Sequence, residues 1–294
     1  MEYRDRDGNA IHANDGQDRF LERLYGSTLG RMALKPLISP AISQAGGWLL
    51  DHPISRAAIA PFVKNNHIDL KDYEEQEYAS YNAFFHRQIK GDKRPVNQEK
   101  DIFISPCDSK LSAYPITENG KFLVKHTPYT MESLLQNRKL AERFYGGQIM
   151  IFRLTVDDYH HYCYVDDGAK SGNIHIPGVF HTVNPIANDV YPIYKENTRE
   201  YSLLKSEHFG TILMMEVGAL MVGKITNLHG KTRVQKGQEK GYFEFGGSTV
   251  ILCVQKDQLE LDEDIRMNTA DGVETIVKMG EQIGKLSKKT GKNN

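Results

Sequence analysis

Hydrophobic residues follow two different patterns along the chain. From about Phe20 to Ala83 they recur at helical spacing, and four prolines break the pattern, which predicts several short helices. Beyond Ile104 the apolar runs are short and are separated by Gly, Pro, Asn and Asp, as is typical of strands joined by turns. These runs are KFLVKH, QIMIFRL, GNIHIPGVF, TILMMEVGALMVGKI and STVILCV.

Together the two patterns predict an α+β fold, in which short N-terminal helices precede a mainly antiparallel β domain. We place the boundary between residues 1–83 and residues 84–294. One helical insert is expected inside the β domain, near Met131 to Phe144.

The N-terminal region carries an apolar stretch that is too short to cross a bilayer. Pro36 to Leu50 contains 15 uncharged residues, whereas a spanning helix needs about 20 apolar residues. Trp48 and its apolar neighbours lie near Arg56 and Lys64, a mixture that suits a membrane surface. Packing of these helices on the rest of the protein explains the same composition, so both interpretations stay open.

Charge and cysteine content narrow the functional classes. The 37 Lys and Arg residues balance 38 Asp and Glu residues, for a net charge of -1, so the chain lacks the basic excess that binds nucleic acid. Cys107, Cys163 and Cys253 are too scattered for a disulfide framework or a CxxC metal site, which favours a cytosolic protein.

The most specific local feature is Gly-Gly-Ser-Thr at residues 246–249, which directly precedes an apolar strand. Glycines allow backbone conformations that are closed to other residues. One interpretation is a tight β connection. The other is that the Ser248 hydroxyl attacks the carbonyl carbon of Gly247, which requires a base to take the serine proton.

Candidate bases lie in the strings DDYHHYC and FHTVNP. His160 and His161 are adjacent, so in a strand they point to opposite faces, and at most one of them faces a given pocket. His181 is the third candidate. Metal binding is a competing idea, because Asp158, His160, Cys163 and His181 are all metal-ligand types, but their spacing matches no standard zinc pattern, so no metal is expected.

Asp108, in the string ISPCDSKL, has two interpretations. An aspartate in a turn that begins with proline usually caps its own backbone. It equally suits the role of a carboxylate that orients a histidine in a Ser/His/Asp relay.

The order of these motifs resembles that of the phosphatidylserine decarboxylase family. The resemblance covers roughly residues 70 to 285, and eight motifs in the same order make chance similarity implausible. The motifs are FFHRQIK with RP, SPCDS, DDYHHYCYVDDG, FHTVNPIA, REYSLL, FGTILMMEVGALMVGKI, KGYFEFGGSTVIL and MGEQIGK.

The resemblance implies a precursor that cuts itself between Gly247 and Ser248, into a β chain of residues 1–247 and an α chain of residues 248–294. Ser248 is then both the cleavage nucleophile and the source of a pyruvoyl group, which is the implied cofactor. Such a group supplies the electron sink that protein side chains lack for decarboxylating an amino acid. The implied reaction converts phosphatidylserine to phosphatidylethanolamine and CO2, with residues 84–294 as the catalytic domain.

By the same resemblance, Asp108 matches the relay aspartate of self-cleavage, and His160 matches the histidine of the decarboxylation step. Two positions depart from the family pattern, and one of them is Ser109, where the family usually has glycine after the aspartate. Cys163 stands where the relay histidine is usual, and a neutral thiol does not replace an imidazole base. The candidates for that base are therefore His181, His160 and His161.

The expected partners are phosphatidylserine, the membrane surface and the chain's own fragments, with a homodimer as a further option and no nucleic acid. We expect residues 1–83 to associate with the membrane and the protein to act peripherally, from the cytoplasmic side of the cell membrane. Two alternative functions stay open. One is a lipid-binding relative that never matures, suggested by Cys163, and the other is a pyruvoyl-dependent decarboxylase of a soluble amino acid.

Overall fold

The computed structural model describes residues 2–12, 40–66, 68–124, 127–182, 191–219, 224–244 and 248–288. The helices expected between residues 20 and 39, and the glycine pair 246–247, lie outside these ranges.

The described helices are short, and side-chain caps mark where several of them begin. Ser80 Oγ accepts a hydrogen bond from the Ala83 N–H at 3.1 Å, and the side chains of Thr130 and Ser133 each accept from the other's N–H. None of the helices in the described ranges is long and apolar enough to cross a membrane. The helices are α1 (Pro40–Asp51), α2 (Ile59–Asn65), α3 (Tyr81–Phe85), α4 (Met131–Leu135), α5 (Arg138–Ala141), α6 (Ile193–Glu196) and α7 (Glu263–Ala270), with 3-10 turns at Pro53–Ala58, Leu70–Asp72, Gly91–Lys93 and Glu142–Phe144.

Strands are the dominant elements of the described chain. They are β1 (Glu2–Arg4), β2 (Ala10–His12), β3 (Ile102–Ile104), β4 (Ser109–Pro115), β5 (Lys121–Val124), β6 (Thr127–Thr130), β7 (Gln148–Leu154), β8 (His161–Cys163), β9 (Gly168–Lys170), β10 (Ile174–Ile176), β11 (Arg199–Ser206), β12 (Thr211–Val217), β13 (Ile225–Asn227), β14 (Thr232–Val234), β15 (Glu239–Phe243), β16 (Ser248–Val254), β17 (Leu259–Leu261), β18 (Glu274–Val277) and β19 (Gln282–Leu286).

β16 lies in the centre of the largest sheet, between β12 and β7. Its residues are buried on both faces: Ile251 and Cys253 pack in one hydrophobic cluster, whereas Val250 and Leu252 pack in another. In the sequence, a strand that is covered on both faces appears as a continuous apolar run. The spatial order of this sheet is β14, β9, β11, β12, β16, β7, β4, β18, β1 and β2, with β10 also paired to β11.

A second sheet, in the order β13, β15, β8, packs on one face of the largest sheet. Tyr162 of β8 and Phe243 of β15 share a hydrophobic cluster with Val250 and Leu252 of β16. We call the space between these two sheets the inter-sheet layer. Two smaller sheets, β17–β19–β3 and the β5–β6 hairpin, complete the described β structure.

The predicted α+β fold is confirmed. The five apolar runs contain β5, β7, β10, β12 and β16, and the predicted helical insert contains α4 and α5. Of the strand pairs in the largest sheet, all but that of β1 with β18 are antiparallel within the described ranges.

Residues 2–12 differ from the expected helical character of residues 1–83, because they form the β1–β2 hairpin at the edge of the largest sheet. Arg6 holds this hairpin through ion pairs with Asp262 at 2.8 Å and Asp264 at 2.5 Å. Three-residue strands are too short to show a period of two in the sequence. Their partners also lie more than 250 positions away, at separations of 256 and 258 residues for these ion pairs.

Candidate active site

Three of the sequence motifs meet at one end of the largest sheet. Ser248 begins β16 and pairs with Leu154, the last residue of β7. The next strand, β4, begins at Ser109, which pairs with Val277 at the end of β18. The segments that contain Asp108, Ser248 and the DDYHHYC string after β7 are therefore close together at this strand end.

Ser248 is fully buried, and its Oγ has no hydrogen-bond partner among the described residues. Because side chains alternate along a strand, Ser248 faces the inter-sheet layer together with Val250, whereas Thr249 faces the other side of the sheet. A buried hydroxyl without a partner costs about 1–3 kcal/mol, which makes this position a candidate for a functional role. Gly247, the other side of the expected cleavage, lies outside the described residues.

His160 lies next to the inter-sheet layer, immediately before β8. Its carbonyl accepts the N–H of Phe243, the last residue of β15, at 2.9 Å. Its Nδ1 lies 2.9 Å from the carbonyl oxygen of Asp158, so Nδ1 carries the proton and Nε2 presents a lone pair. Nε2 is buried and has no hydrogen-bond partner within the described ranges. Burial against the Phe85 ring, whose centre is 4.2 Å away, lowers the pKa of His160 to about 4.

A buried ion pair fixes the loop that carries His160. Lys110 Nζ lies 2.7 and 2.9 Å from the two carboxylate oxygens of Asp158, which also accepts the Thr155 N–H at 2.7 Å. Burial acts to raise the pKa of Asp158, but the Lys110 and Lys278 ammonium groups and the hydrogen bonds from Lys110 and Thr155 together lower that pKa to about 2. The loop therefore holds a permanent carboxylate next to a neutral imidazole.

Asp108 binds cations instead of a histidine. Arg94 donates to both of its carboxylate oxygens, at 2.7 and 2.5 Å, and Lys278 Nζ and the Met279 N–H donate at 3.2 and 2.9 Å. None of the histidines in the described part of the chain contacts it. In this geometry Asp108 ties the segment around Arg94 to the ends of β4 and β18, which differs from the relay contact implied by the family resemblance.

Both ring nitrogens of His161 have hydrogen-bond partners. Nδ1 lies 2.6 Å from a carboxylate oxygen of Glu239, and Nε2 lies 3.1 Å from the carbonyl oxygen of His86. The ring also stacks on Tyr159, with 4.5 Å between the ring centres. His161 is therefore bound to neighbouring elements, and the adjacent His160 is the one with an unpaired nitrogen.

Cys163 and His181 have different environments. Cys163 is buried, and burial raises the pKa of its thiol to about 12, so it is not a base at neutral pH. His181 is buried and stacks on Tyr191, with 4.5 Å between the ring centres, and its Nε2 lies 3.6 Å from Glu196. Burial lowers the pKa of His181 to about 4.

Asn197 is a site residue that the sequence reasoning missed. Its side-chain amide accepts the His181 N–H at 2.9 Å and donates to the carbonyl oxygens of His181 and Gly218, each at 2.8 Å. Gly218 directly follows Val217, which pairs with Thr249. Asn197 thus connects the His181 segment to the strand next to the candidate nucleophile. The only sequence signal for it is an asparagine next to the REYSLL motif.

The lowered pKa of His160 predicts a loss of stability in acid. As pH falls below the ordinary value of 6.5, the unfolded chain binds a proton that the folded chain binds only near pH 4. His160 should therefore lower the free energy of unfolding by roughly 3 kcal/mol as pH falls from 6.5 to 4. Urea unfolding of Ser248→Ala chains measures this, and adding His160→Gln should remove that part of the slope.

The exposed His175, replaced by glutamine, provides the control for this pH dependence. A His160→Gln chain with the same acid slope as its parent would show that His160 does not resist protonation in the folded state.

No group of three or more His, Cys, Asp or Glu side chains within the described ranges is arranged to hold a metal ion. Among the described residues at this strand end, the buried polar atoms without hydrogen-bond partners are instead those of Ser248, Thr249 and His160.

Comparison with known proteins matches the same segments. The family model for phosphatidylserine decarboxylase matches residues 81–285. A protein of Clostridium acetobutylicum named phosphatidylserine decarboxylase proenzyme 2 is 45% identical over 274 residues, which cover 93% of each chain. Phosphatidylserine decarboxylase proenzymes of Clostridium novyi and Clostridium tetani are 38% and 42% identical, over 91% and 81% of this chain and 92% and 82% of their own. The chain therefore belongs to the phosphatidylserine decarboxylase family and is a carboxy-lyase.

Proposed function

We propose that the chain is a precursor that cuts itself before Ser248 and then decarboxylates phosphatidylserine. The observation that carries this proposal is a pair of buried atoms without partners in the described chain, Ser248 Oγ and His160 Nε2, at the same end of two packed sheets. One is a hydroxyl that needs a base, and the other is a basic nitrogen that needs a proton donor. The names of the relatives, which are proenzymes, support the same proposal.

In the proposed cleavage, His160 Nε2 takes the proton of Ser248 as Oγ adds to the carbonyl carbon of Gly247. The bond between that carbon and the Ser248 nitrogen then breaks, and the proton passes to the released amine, which leaves an ester. Loss of the Ser248 α proton breaks the Cβ–O bond and releases the Gly247 carboxylate. Water then replaces the nitrogen, which departs as ammonia and leaves a pyruvoyl group.

The site suits a small carbonyl group made from Ser248 in place. Two buried polar atoms without partners in the described ranges, Ser248 Oγ and His160 Nε2, provide hydrogen-bonding capacity for it. A pyruvoyl group held here would supply the electron sink that decarboxylation requires. We expect His160 Nε2 first to take the proton that the substrate ammonium group loses and then to return it to the α carbon of the substrate.

The N-terminal helices are the proposed membrane contact. Trp48 and Ile54 are each 71% exposed and Leu49 is 54% exposed, and Arg56 and Lys64 lie on the adjacent elements. Apolar side chains beside cations suit the surface of an anionic bilayer.

These helices also lie close to the candidate active site. Asn82 of α3 donates to Asp51 at the end of α1 at 2.8 Å and to Glu244 at 3.1 Å. Glu244 directly follows β15, which leads into the segment before Ser248. A phospholipid that stays in the bilayer would therefore meet the protein beside this segment.

Replacing Trp48 and Ile54 together with glutamate should weaken binding to phosphatidylserine vesicles by about a hundredfold or more, because moving two such side chains into the bilayer is worth roughly 3 kcal/mol or more in apolar transfer. Self-cleavage should proceed as in the wild type, since the change lies outside the inter-sheet layer. Vesicle sedimentation and electrophoresis measure the two effects. Leu123→Glu, at an exposed leucine of β5, is the matched control. Equal vesicle binding by both variants would remove α1 and the following turn as the membrane contact.

The function is tested by incubating the purified full chain with phosphatidylserine vesicles and measuring CO2 and phosphatidylethanolamine. We expect equal amounts of both products and a protein that has been cut before Ser248. A cut protein that ignores the vesicles but consumes free serine or aspartate would favour a soluble substrate. A chain that stays whole and forms neither product would favour the lipid-binding alternative.

A further inference from the structure

A buried polar cluster lies next to Ser248 in the inter-sheet layer. Glu216 of β12 is fully buried and pairs with Val250, so it shares a sheet face with Ser248. Glu216 and Ser248 are therefore diagonal neighbours across β12 and β16. Such neighbours are roughly 7–8 Å apart, within reach of a long side chain.

The cluster joins the two sheets. Lys240 of β15 is also fully buried, and its Nζ donates to Glu216 Oε1 at 2.8 Å and to Asn227 Oδ1 at 2.5 Å. Asn227 of β13 donates in turn to Glu216 Oε2 at 3.1 Å and to Glu200 at 2.7 Å. Both carboxylate oxygens of Glu216 are thus held from the second sheet. We call Glu216, Lys240 and Asn227 the inter-sheet cluster.

The inter-sheet cluster is a costly way to join two sheets. Glu216 lies directly opposite Glu200 across β12 and β11, and like charges in that arrangement are destabilising. Burial lowers the pKa of Lys240 even though Glu216 acts against it. Apolar residues often replace a buried ion pair without loss of stability, so stability alone does not explain these charges.

The position of the cluster along the chain suggests what it does. β15 ends at Phe243 in the second sheet, and β16 begins at Ser248 in the largest sheet, so the chain changes sheets across the expected cleavage point. Phe243 is also hydrogen-bonded to His160 at 2.9 Å. The spacing between the sheets therefore sets how His160 approaches Ser248. Charge-assisted hydrogen bonds fix one spacing, whereas apolar side chains permit several.

We infer that the inter-sheet cluster is a positioning device for self-cleavage, which holds β15 and His160 at the distance from Ser248 that proton transfer requires. The inference rests on the proposed function, because it concerns the cut before Ser248. Glu216 and Lys240 act through the strands that carry the reacting groups, and they are positioning residues. A misplacement of about 1 Å costs on the order of 10²-fold in rate, so cleavage should be sensitive to this cluster.

The test replaces the charged pair by an apolar pair, Glu216→Leu with Lys240→Met. In a Ser248→Ala background, the melting temperature of the uncut chain should be unchanged. With Ser248 present, the double variant should cut about tenfold or more slowly than the wild type. The single variant Glu216→Gln, which keeps the shape of the side chain and removes its charge, should cut faster than the double variant but more slowly than the wild type. If the double variant does not fold, the single variant Glu216→Gln tests the inference instead. Cutting of that variant at the wild-type rate would overturn the inference.

Lys236→Met is the matched control. Lys236 is a buried lysine whose Nζ donates only to main-chain carbonyls within the described ranges, those of Glu99 and Ile102 at 2.7 and 2.6 Å. When chains with equal folded fractions are compared, the Lys236→Met variant should cut at the wild-type rate. A folded double variant that also cuts like the wild type would overturn the inference and leave the proposed function intact. A wild-type chain that never cuts would contradict the proposed function itself.

Discussion

Replacing Ser248 with alanine should leave the chain uncut, as one band at 33.4 kDa on denaturing electrophoresis. Alanine has no oxygen to add to the carbonyl of Gly247, so neither the ester nor the new N-terminus forms. Decarboxylation should disappear with cleavage, because the electron sink is made from this serine. The wild type should give fragments of residues 1–247 and 248–294 in the same preparation.

Ser202→Ala is the control for this loss. Ser202 is also a buried serine of the largest sheet whose hydroxyl has no hydrogen-bond partner in the described chain. It lies on β11, two strands from β16. The control chain should cut normally. A Ser248→Ala chain that is still cut would place the cleaved bond elsewhere.

The second large effect is expected at His160. His160→Ala should slow self-cleavage and should lower decarboxylation per cut chain by roughly 10²–10⁴-fold, the usual contribution of a general acid–base group. The reason is that His160 presents a buried, unpaired Nε2 next to the strand end of Ser248. Counting pyruvoyl ends by mass spectrometry separates the loss of cleavage from the loss of turnover.

Two other histidines serve as comparisons. His181→Ala should cut at nearly the wild-type rate, because the His181 ring stacks on Tyr191 and lies beside Glu196. His161→Gln should weaken the contacts to Glu239 and His86 and lower stability more than turnover. Normal cleavage by His160→Ala together with slow cleavage by His181→Ala would move the role of base to His181.

The sequence predicts the centre of this fold better than its edges. β7, β12 and β16 are covered on both faces, so each gives an apolar run that is visible without an alignment. The β1–β2 hairpin gives no such signal, because three residues per strand show no period and its anchors are charged residues far along the chain.

In the candidate site, too, some residues can be predicted from the sequence and others cannot. Ser248 and His160 stand in motifs that can be recognised in the sequence. Lys110 and Glu216 leave a weaker mark, a single charge inside a strand whose other residues are uncharged. Their partners, Asp158 and Lys240, are 48 and 24 residues away, and only the packing of a loop and of a second sheet against these strands brings them together.

Burial also decides chemistry that the sequence leaves open. Cys163 stands in a histidine-rich string, yet burial raises the pKa of its thiol. Its Sγ lies 4.0 Å from the carbonyl oxygen of Ser105. Asp108 suits a histidine relay by its motif, but its carboxylate is held by Arg94 and Lys278. Neither environment follows from residue type, because both depend on which strand ends meet.

Self-cleavage before Ser248 is tested most directly by the intact mass of the purified, full-length protein. We predict two species, residues 1–247 with a free carboxyl terminus and residues 248–294 lighter by one ammonia than the same peptide with an N-terminal serine. A single species with the mass of the whole 294-residue chain would contradict this prediction.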